Sequence, residues 1–415
     1  MMLPTLDEFK QAQQRIAALL SETPLERSTR LSNHFKADIY LKREDLQQVR
    51  SYKIRGAYNK ILTLSRHEDV ERIICASAGN HAQGVALSCS SLNIKGLIIM
   101  PKTTPQQKIS KVESFGGVWI EIQLHGETYD EAYRFALSLA EQDGIPFVHP
   151  FNDRDVILGQ GTMGLEILEQ LGKKPDIVSI CVGGGGLLSG VGSVMAQAAP
   201  DAQLFGVEPA EAASMSEAIK QNKVVTLDSI SKFVDGASVA TIGETNFEIC
   251  RQLNLQMLTA SEGAICSALI EMYNEDGIIA EPAGILAVAG LYQMNIDLTG
   301  KTVVCIVSGG NNDIYRIQEI IERAKLYEGT KFYIRVQVPQ ISGSFTSILS
   351  IIEKEHEGLV SFSRYSNAKA INGYSSALFG VEVKDKSVGQ AIKNRLEEIG
   401  ISFRISEESP VINEL

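Results

Sequence analysis

The pattern that most restricts the fold of this chain is a series of short apolar runs, each followed by a segment of helix length. Between about residue 36 and residue 325 these runs read D-I-Y-L-K, R-I-I-C-A, K-G-L-I-I-M-P, G-V-W-I-E-I, I-V-S-I-C-V, Q-L-F-G-V-E and T-V-V-C-I-V. Continuous apolar runs that alternate with helices are typical of parallel strands buried on both faces. The pattern predicts a doubly wound α/β core with a mostly parallel sheet.

The pattern changes after K-L-Y-E-G-T, at about residue 330. K-F-Y-I-R-V-Q-V-P alternates like a half-exposed strand, and a helical segment, two more alternating runs, a helix that ends in glycine and I-S-F-R-I-S follow. This order is βαββαβ, which predicts a C-terminal ferredoxin-like module. A chain of 415 residues is also too long for one ordinary core. We expect two domains, residues 1–329 and residues 330–415.

Charge and cysteine usage exclude several classes of protein. The net charge is −11, with 39 basic against 50 acidic residues, which argues against nucleic acid as a partner. The six cysteines form no C-x-x-C motif, and three lie in apolar runs, so we expect buried thiols in a reducing compartment. The first ten residues carry acids where a signal peptide carries bases. The apolar stretches 182–199 and 277–292 are interrupted or rich in glycine, so we expect no membrane span and a cytoplasmic location.

Three of the predicted strands end in a similar way. C-A-S-A-G-N-H-A-Q-G covers residues 75–84, C-V-G-G-G-G-L-L-S-G covers 181–190, and C-I-V-S-G-G-N-N covers 305–312. In each case a strand is followed by small residues and the start of a helix. Because the carboxyl ends of parallel strands share one edge of a sheet, we expect the three loops to converge on one ligand-binding crevice.

The glycine run in the second loop predicts an anion site. Successive backbone N–H groups and the positive end of a following helix can bind phosphate, and the residues concerned are Gly183, Gly184, Gly185, Gly186 and Leu187. No G-K-[ST] follows, and the G-x-G-x-x-G spacing of dinucleotide folds is absent. The alternative is that the glycines only permit close packing of strand and helix.

The stretch R-S-Y-K-I-R-G-A at residues 50–57 contains a lysine at an unfavourable position. With Ser51 as the expected N-cap, Lys53 lies in the first turn of a helix, where the helix dipole disfavours a cation. A lysine that loses its charge removes the conflict. Close to a phosphate site it can form an imine with an aldehyde cofactor. Taken alone, such a lysine is more often a solvated charge.

Four motifs together resemble a known family. S-Y-K-I-R-G-A, S-A-G-N-H-A-Q-G, G-G-G-G-L and S-G-G-N, in this order and at these separations, are similar to those of fold type II pyridoxal-phosphate enzymes. Within them the chain resembles the threonine dehydratases over essentially its full length. The resemblance implies pyridoxal 5′-phosphate as cofactor and a C-terminal ACT-like regulatory domain.

The resemblance also implies roles for the cofactor residues. Lys53 would hold the cofactor as a Schiff base and act as the catalytic base, and residues 183–187 would bind its phosphate. Asn80 would hydrogen-bond the cofactor's 3′ oxygen. Ser308 would meet the pyridine nitrogen, and its hydroxyl, unlike an aspartate, would not hold that nitrogen protonated. A weaker electron sink of this kind favours elimination over transamination.

Four further residues are expected to contact the substrate: Ser77, Gly79, His81 and Asn152. The first three belong to the loop that resembles a carboxylate site, and Asn152 matches a segment beside the cofactor, as does Gly236. Glu208 matches a position that can help to bind a cation in this family. Because Ser214 stands where divalent-binding relatives tend to have an acid, we expect no divalent metal, although a monovalent ion at Glu208 stays open.

The function implied by the resemblance is dehydration and deamination of L-threonine to 2-oxobutyrate and ammonia. L-Serine would be a slower substrate, isoleucine a feedback inhibitor, and the protein a homo-oligomer, a dimer or a tetramer. Alternatives are a catabolic serine/threonine dehydratase, a threonine synthase or a cysteine synthase. A further alternative is an amino-acid sensor with an inactive core.

Overall fold

The structure is a computed structural model that describes residues 2–67, 70–371, 373–406, 409–410 and 412. Two compact units are present, and each is described by itself. The first comprises Met1–Glu262 and Glu271–Asn312, and the second comprises Gly263–Ile270 and Asp313–Leu415. The boundary near Gly329 stays a prediction. Among the described residues, no helix is both long enough and apolar enough to cross a membrane.

The first unit alternates strands and helices along the chain. Its strands are β1 (Leu25–Arg27), β2 (Asp38–Arg43), β3 (Arg72–Ala76), β4 (Lys95–Met100), β5 (Ile120–Leu124), β6 (Ile177–Cys181), β7 (Gln203–Pro209), β8 (Leu255–Ala260) and β9 (Thr302–Val307). Its helices are α1 (Leu6–Ile16), α2 (Thr29–Phe35), α3 (Lys53–His67), α4 (Asn80–Leu92), α5 (Gln106–Gly116), α6 (Tyr129–Asp143), α7 (Arg154–Leu171), α8 (Gly186–Ala198), α9 (Ser214–Gln221), α10 (Glu244–Cys250), α11 (Glu262–Asp276) and α12 (Pro282–Leu291), of which α11 continues into the second unit.

The strands of the first unit form two sheets. A six-stranded sheet has the order β1-β2-β9-β6-β7-β8, in which only β1 is antiparallel to its neighbour. A second, parallel sheet has the order β3-β4-β5. The predicted α/β core with mostly parallel strands is confirmed. The apolar runs found in the sequence do not include β1 and β8. These two strands lie at the edges of the larger sheet, where a strand needs fewer apolar residues.

The smaller sheet has a hydrophobic core on each of its two faces. Ile73 and Cys75 of β3 face a core shared with α4 and α5, whereas Ile74 between them faces a core shared with α6. Successive side chains of a strand point to opposite faces, so helices cover both faces. The small sheet therefore has its own cores. The six cysteines are free and buried, as predicted.

The second unit is the predicted βαββαβ module, preceded by helix α13 (Ile317–Glu328). Its elements are β10 (Lys331–Pro339), α14 (Ser344–Ser350) with a π-helical turn at Ile351–Glu355, β11 (Leu359–Ile371), β12 (Tyr374–Glu382), α15 (Lys386–Glu398) and β13 (Phe403–Ser406). All strand pairs are antiparallel, in the order β11-β12-β10-β13. Buried Ile334, Val336 and Val338 on one face of β10 belong to the module core, so the ferredoxin-like prediction is confirmed.

Candidate active site

Lys53 begins helix α3, and its amine lies in a half-buried position. Nζ donates a hydrogen bond of 3.0 Å to the backbone oxygen of Pro150. Burial lowers the pKa of Lys53 to about 8, although the nearby Cys181 and Glu281 act in the opposite direction. A buried ammonium loses hydration, so burial increases the population of the neutral amine. The amine is therefore suited to nucleophilic attack near neutral pH.

The segment before Lys53 is held by the end of strand β9. Ser51 forms an isolated antiparallel bridge with Gly309, and the backbone N–H of Tyr52 donates to the oxygen of Ser308 at 3.2 Å. The hydroxyl of Ser51 is buried and has no hydrogen-bond partner among the described residues. The expectation that Ser51 caps the helix is therefore wrong, because the bridge to Gly309 holds it two residues before α3.

The glycine loop lies between strand β6 and helix α8. Helix α8 begins at Gly186, one residue earlier than predicted, and among the described residues no side chain caps its first turn. Gly185 precedes it with φ of 93°, a conformation that favours glycine. A helix start with uncapped N–H groups and a positive dipole end is suited to binding phosphate.

Close packing accounts for the absence of side chains in this loop. A Cβ at Gly184 would meet the ring of Phe151, and a Cβ at Gly186 would lie 3.0 Å from Phe151 Cβ. At Gly185 it would lie 2.9 Å from Asn246 Cβ. The amide of Asn246 donates to the oxygens of Phe151 and Gly184 at 3.2 and 2.7 Å. Close packing therefore requires small residues in this loop, and the anion site stays a prediction that the packing does not conflict with.

Asn80 is the first residue of helix α4, and its amide joins two other side chains. Its Nδ2 donates to Glu281 Oε1 at 2.5 Å, and its Oδ1 accepts a hydrogen bond of 2.7 Å from Asn311 Nδ2. Glu281 is 6% exposed, and burial, with a contribution from Asp235, raises its pKa to about 7. These two partners fix which side of the amide carries the donor. Sequence reasoning missed Glu281, which belongs to none of the four motifs, and it gave no role to Asn311, the last residue of S-G-G-N.

Ser308 follows β9 and contacts the neighbouring strand. Its Oγ donates to the oxygen of Ala283 at 3.3 Å and accepts a contact of 3.2 Å from the thiol of Cys181 at the end of β6. Burial raises the pKa of Cys181 to about 11, so the thiol keeps its proton near neutral pH. The Ser308 hydroxyl therefore contacts two uncharged groups, and its role at a pyridine nitrogen stays a prediction.

The loop after β3 brings the predicted carboxylate residues together. Ser77 Oγ accepts a hydrogen bond of 3.2 Å from Gly79 N, and a Cβ at Gly79 would meet no atom within 4 Å. His81 Nε2 donates to the oxygen of Val148 at 2.9 Å, because a carbonyl can only accept. Burial, reinforced by Lys53, lowers the pKa of His81 to about 3. The loop therefore offers open space at Gly79 beside a neutral histidine.

Asn152 and its neighbour connect the lysine to the glycine loop. Asn152 Oδ1 accepts a hydrogen bond of 3.1 Å from Thr245 N, so this side chain binds backbone. His149 Nδ1 accepts hydrogen bonds from the N–H groups of Phe151 and Asn152, at 3.1 and 2.8 Å. Pro150, the partner of Lys53, lies within this turn. The turn thus places the amine beside the loop that packs on Phe151.

Glu208 and Gly236 occupy structural positions. Both carboxylate oxygens of Glu208 accept hydrogen bonds at the start of α9, from Met215 N at 2.6 Å and from Ser216 N and Oγ at 2.9 and 2.6 Å. Ser214 donates to neither oxygen. Within the described residues there is no group of three or more His, Cys, Asp or Glu side chains that could hold a metal ion. A Cβ at Gly236 would lie 2.8 Å from that of Ala283, beside Ser308.

The three loops therefore converge, although not on one sheet edge. β6 and β9 are neighbours in the larger sheet, whereas β3 belongs to the smaller sheet. The hydrogen bond from Asn311 to Asn80 joins the loop after β9 to the loop after β3. The site lies between two sheets, and it combines an amine of lowered pKa, an uncapped helix start, an oriented amide and a neutral hydroxyl. This donor set fits an aldehyde cofactor that carries a phosphate and a pyridine ring.

Comparison with known proteins agrees with this donor set. Residues 16–309 match the family described as pyridoxal-phosphate dependent enzyme, and residues 322–415 match the C-terminal regulatory domain of threonine dehydratase. The chain is 46% identical to the biosynthetic L-threonine dehydratase IlvA of Bacillus subtilis, over 91% of this chain and 89% of that protein. It is 41% identical to the IlvA of Staphylococcus saprophyticus, over 98% and 97%.

Solved structures give the same result. The processed form of threonine deaminase isoform 2 from Solanum lycopersicum superposes with a TM-score of 0.71 at 41% identity, covering 78% of this chain and 95% of that one. The sequence similarities cover both the α/β core and the C-terminal module. The chain thus belongs to the family of pyridoxal-phosphate dependent enzymes, and within it to the threonine dehydratases with a C-terminal regulatory domain.

Proposed function

We propose that this protein is a pyridoxal 5′-phosphate dependent lyase that converts L-threonine to 2-oxobutyrate and ammonia, with L-serine as a slower substrate. The observation that carries the proposal is the amine of Lys53, which is half-buried, has its pKa lowered to about 8 and lies beside the glycine loop of a chain in the threonine dehydratase family. A neutral amine at this place can hold an aldehyde and move a proton.

Different residues of the site would bind different parts of the cofactor. The N–H groups at Gly183, Gly184, Gly185, Gly186 and Leu187 would bind the cofactor phosphate. Asn80 would donate to the 3′ oxygen with the N–H that Glu281 leaves unused, and Ser308 would hydrogen-bond the ring nitrogen. When bound, the cofactor supplies the electron sink that stabilises negative charge at the substrate α-carbon.

Substrate handling falls to the loop after β3 and to Lys53. The backbone at Ser77 and Gly79 and the ring of His81 would surround the substrate carboxylate, with Asn152 fixing the opposite wall. The amine of Lys53 would take up the α-proton, and the β-hydroxyl would leave with one proton as water, so that the substrate loses the elements of water. His81 stays neutral because of burial, so it acts here as a hydrogen-bonding wall and not as an acid.

The C-terminal module has a proposed regulatory role. Residues 330–415 would form the regulatory domain and residues 1–329 the catalytic domain, with isoleucine as feedback inhibitor. An effector changes activity only if it binds one arrangement better than another. Exposed Leu359 and Tyr365 on the edge strand β11 of the module support assembly into a dimer or tetramer. The biosynthetic role goes with the cytoplasmic location expected from the cysteines.

One assay tests these proposals together. Ketoacid formation is measured from L-threonine and from L-serine, each with and without isoleucine, on the full chain. We expect faster turnover of threonine and inhibition by isoleucine. Turnover that isoleucine and valine leave unchanged would favour the catabolic alternative, and binding of amino acids without turnover would favour the sensor.

A further inference from the structure

A buried group of charged side chains lies directly beside Lys53 and takes no part in the site described above. We name it the anchor cluster and define it by Lys42, Glu44, Arg55, Thr162 and Glu166. Arg55 lies in the first turn of α3, two residues after Lys53, and its side chain is fully buried. The other members come from β2, the short 3₁₀ turn at Glu44–Leu46 and helix α7.

The guanidinium of Arg55 uses all five of its N–H donors. Glu44 accepts two hydrogen bonds, both of 2.8 Å, from Nε and Nη2. Glu166 accepts two more, of 2.6 and 2.8 Å, from Nη1 and Nη2. Thr162 Oγ1 accepts the fifth, of 3.1 Å, from Nη1. Only a planar fork with five donors can satisfy two carboxylates and a hydroxyl in this way.

Lys42 completes the charge balance of the cluster. Its amine donates to Glu166 Oε2 at 2.7 Å, to the oxygen of Thr23 at 2.6 Å and to Gln170 Oε1 at 3.0 Å. Two cations thus face two carboxylates. Burial raises the pKa of Glu44, but Arg55 and Lys42 outweigh it and hold that pKa below its usual value. The Glu44 carboxylate therefore stays ionised near neutral pH and keeps accepting its two hydrogen bonds from Arg55.

Stability is a poor explanation for such a cluster. Buried ion pairs of this kind can often be replaced by apolar side chains of similar volume at little cost, because desolvation offsets their attraction. What the cluster supplies instead is a single geometry. Because all five N–H donors of the guanidinium are hydrogen-bonded, the side chain of Arg55 holds the backbone of α3 in one orientation.

The backbone around Arg55 is confined by its neighbours as well. A Cβ at Gly159 of α7 would meet the backbone oxygen of Arg55, and a Cβ at Gly56 would lie 2.8 Å from Val156. On another side, a Cβ at Gly84 of α4 would lie 3.2 Å from the Cα of Ile54. The first turn of α3 is therefore in close contact with two helices. The position of that turn decides where the amine of Lys53 lies.

We propose that Arg55 is a positioning residue for Lys53: its hydrogen bonds to Glu44, Glu166 and Thr162 fix the first turn of α3 so that the amine reaches the cofactor and the substrate α-proton. The inference rests on the proposed function, in which Lys53 performs both tasks. Displacements of a fraction of an ångström at a reacting amine reduce rates strongly.

The test compares Arg55→Lys with Arg30→Lys in the holoenzyme. Arg55→Lys keeps the charge and loses the fork. Arg30 also hydrogen-bonds two carboxylates, Glu271 and Asp276, at 2.9 Å each, but lies on α2, outside the site. The measurements are kcat and KM for L-threonine, the fraction of pyridoxal phosphate that borohydride fixes to Lys53, and the melting temperature.

For Arg55→Lys we expect kcat to fall by about 10- to 100-fold with KM changed less than about threefold, together with a lower fraction of cofactor fixed to Lys53. Arg30→Lys should keep the wild-type kcat, KM and fraction of fixed cofactor, even if its melting temperature falls as much as that of Arg55→Lys. Arg55→Lys with unchanged kcat and fixation but a lower melting temperature would overturn the proposal. If Arg55→Lys does not fold, Thr162→Val decides, because it removes one acceptor and should reduce kcat by about two- to fivefold.

The fixation measurement separates this inference from the proposed function. A wild-type protein that fixes cofactor at Lys53 but leaves L-threonine unchanged would defeat the proposed function, while fixation in Arg55→Lys would still decide the role of Arg55. A wild-type protein that fixes no cofactor at Lys53 would overturn both.

Discussion

The side-chain amide of Asn80 donates a hydrogen bond of 2.5 Å to the carboxylate of Glu281, a residue 201 positions later in the chain. On its other side the same amide accepts a hydrogen bond of 2.7 Å from Asn311. An amide can otherwise turn its oxygen or its nitrogen toward a ligand. The two partners remove that choice, so the remaining N–H of Asn80 is presented to the site. Glu281 would therefore control the cofactor contact proposed for Asn80, without contacting the cofactor itself.

The first prediction concerns substitutions of Glu281. In Glu281→Ala the Asn80 amide loses its acceptor, and the affinity for pyridoxal phosphate should fall about tenfold, which corresponds to about 1.4 kcal/mol and is typical of one hydrogen bond. Glu281→Gln keeps an acceptor oxygen and should change the affinity by less than about threefold. Fluorescence titration of the apoenzyme with cofactor measures both. Equal losses in the two variants would show that the charge of Glu281, and not its acceptor, matters.

A second prediction concerns the identity of the attachment residue. Lys53→Ala should lose fixation of the cofactor by borohydride and should reduce turnover of L-threonine by several orders of magnitude, because amine and base are lost together. Lys60 lies on the same helix and pairs with Asp153 and Asp155, so Lys60→Ala is a matched control that should retain the cofactor. Near-normal turnover in Lys53→Ala would contradict the assignment.

The lowered pKa of Lys53 gives a third prediction, on pH. With a pKa of about 8, in place of 10.5, about one-tenth of the amine is neutral at pH 7, compared with roughly one part in 3,000 for an ordinary lysine. Only the neutral amine attacks an aldehyde. The rate of cofactor attachment to the apoenzyme should rise about tenfold per pH unit below pH 8 and level off above it. Stopped-flow absorbance measures this rate, and a rate that still climbs between pH 9 and pH 10 would refute the shift.

Two glycines give a fourth prediction with opposite outcomes. In Gly184→Ala the new Cβ would meet the Phe151 ring, and overpacking of this kind should lower the free energy of unfolding by about 1–3 kcal/mol. In Gly79→Ala the new Cβ meets no atom within 4 Å, so stability should change little. If the space at Gly79 holds substrate, KM for L-threonine should rise there.

Chemical denaturation and steady-state kinetics separate the two glycine variants. Gly79→Ala with an unchanged KM would place the substrate elsewhere. Gly184→Ala with wild-type stability would mean that the loop moves away from Phe151 without cost. In that case the close packing of the loop would not require glycine.

Much of this protein can be predicted from the sequence because the signals are local. The apolar runs of β2, β3, β4, β6, β7 and β9 and the βαββαβ order follow from periodicity, which each segment carries by itself. The positions of Lys53, the glycine loop and Ser308 follow from the turn chemistry at strand ends. Edge strands β1 and β8 lack such a pattern, because fewer neighbours cover them.

Only the tertiary structure decided which distant side chains meet. No local pattern specifies that Glu281 and Asn311 meet Asn80, that Cys181 meets Ser308, or that Glu166 meets Arg55. Each pair is joined by packing between elements more than 100 residues apart in sequence. The division of the strands into two sheets has no local signature either, because it depends on pairing between strands far apart in sequence, such as β2 with β9. Sequence determined the chemical groups of the site, whereas packing decided their orientation and their pKa values, because hydrogen bonding and desolvation exist only once the chain has closed around them.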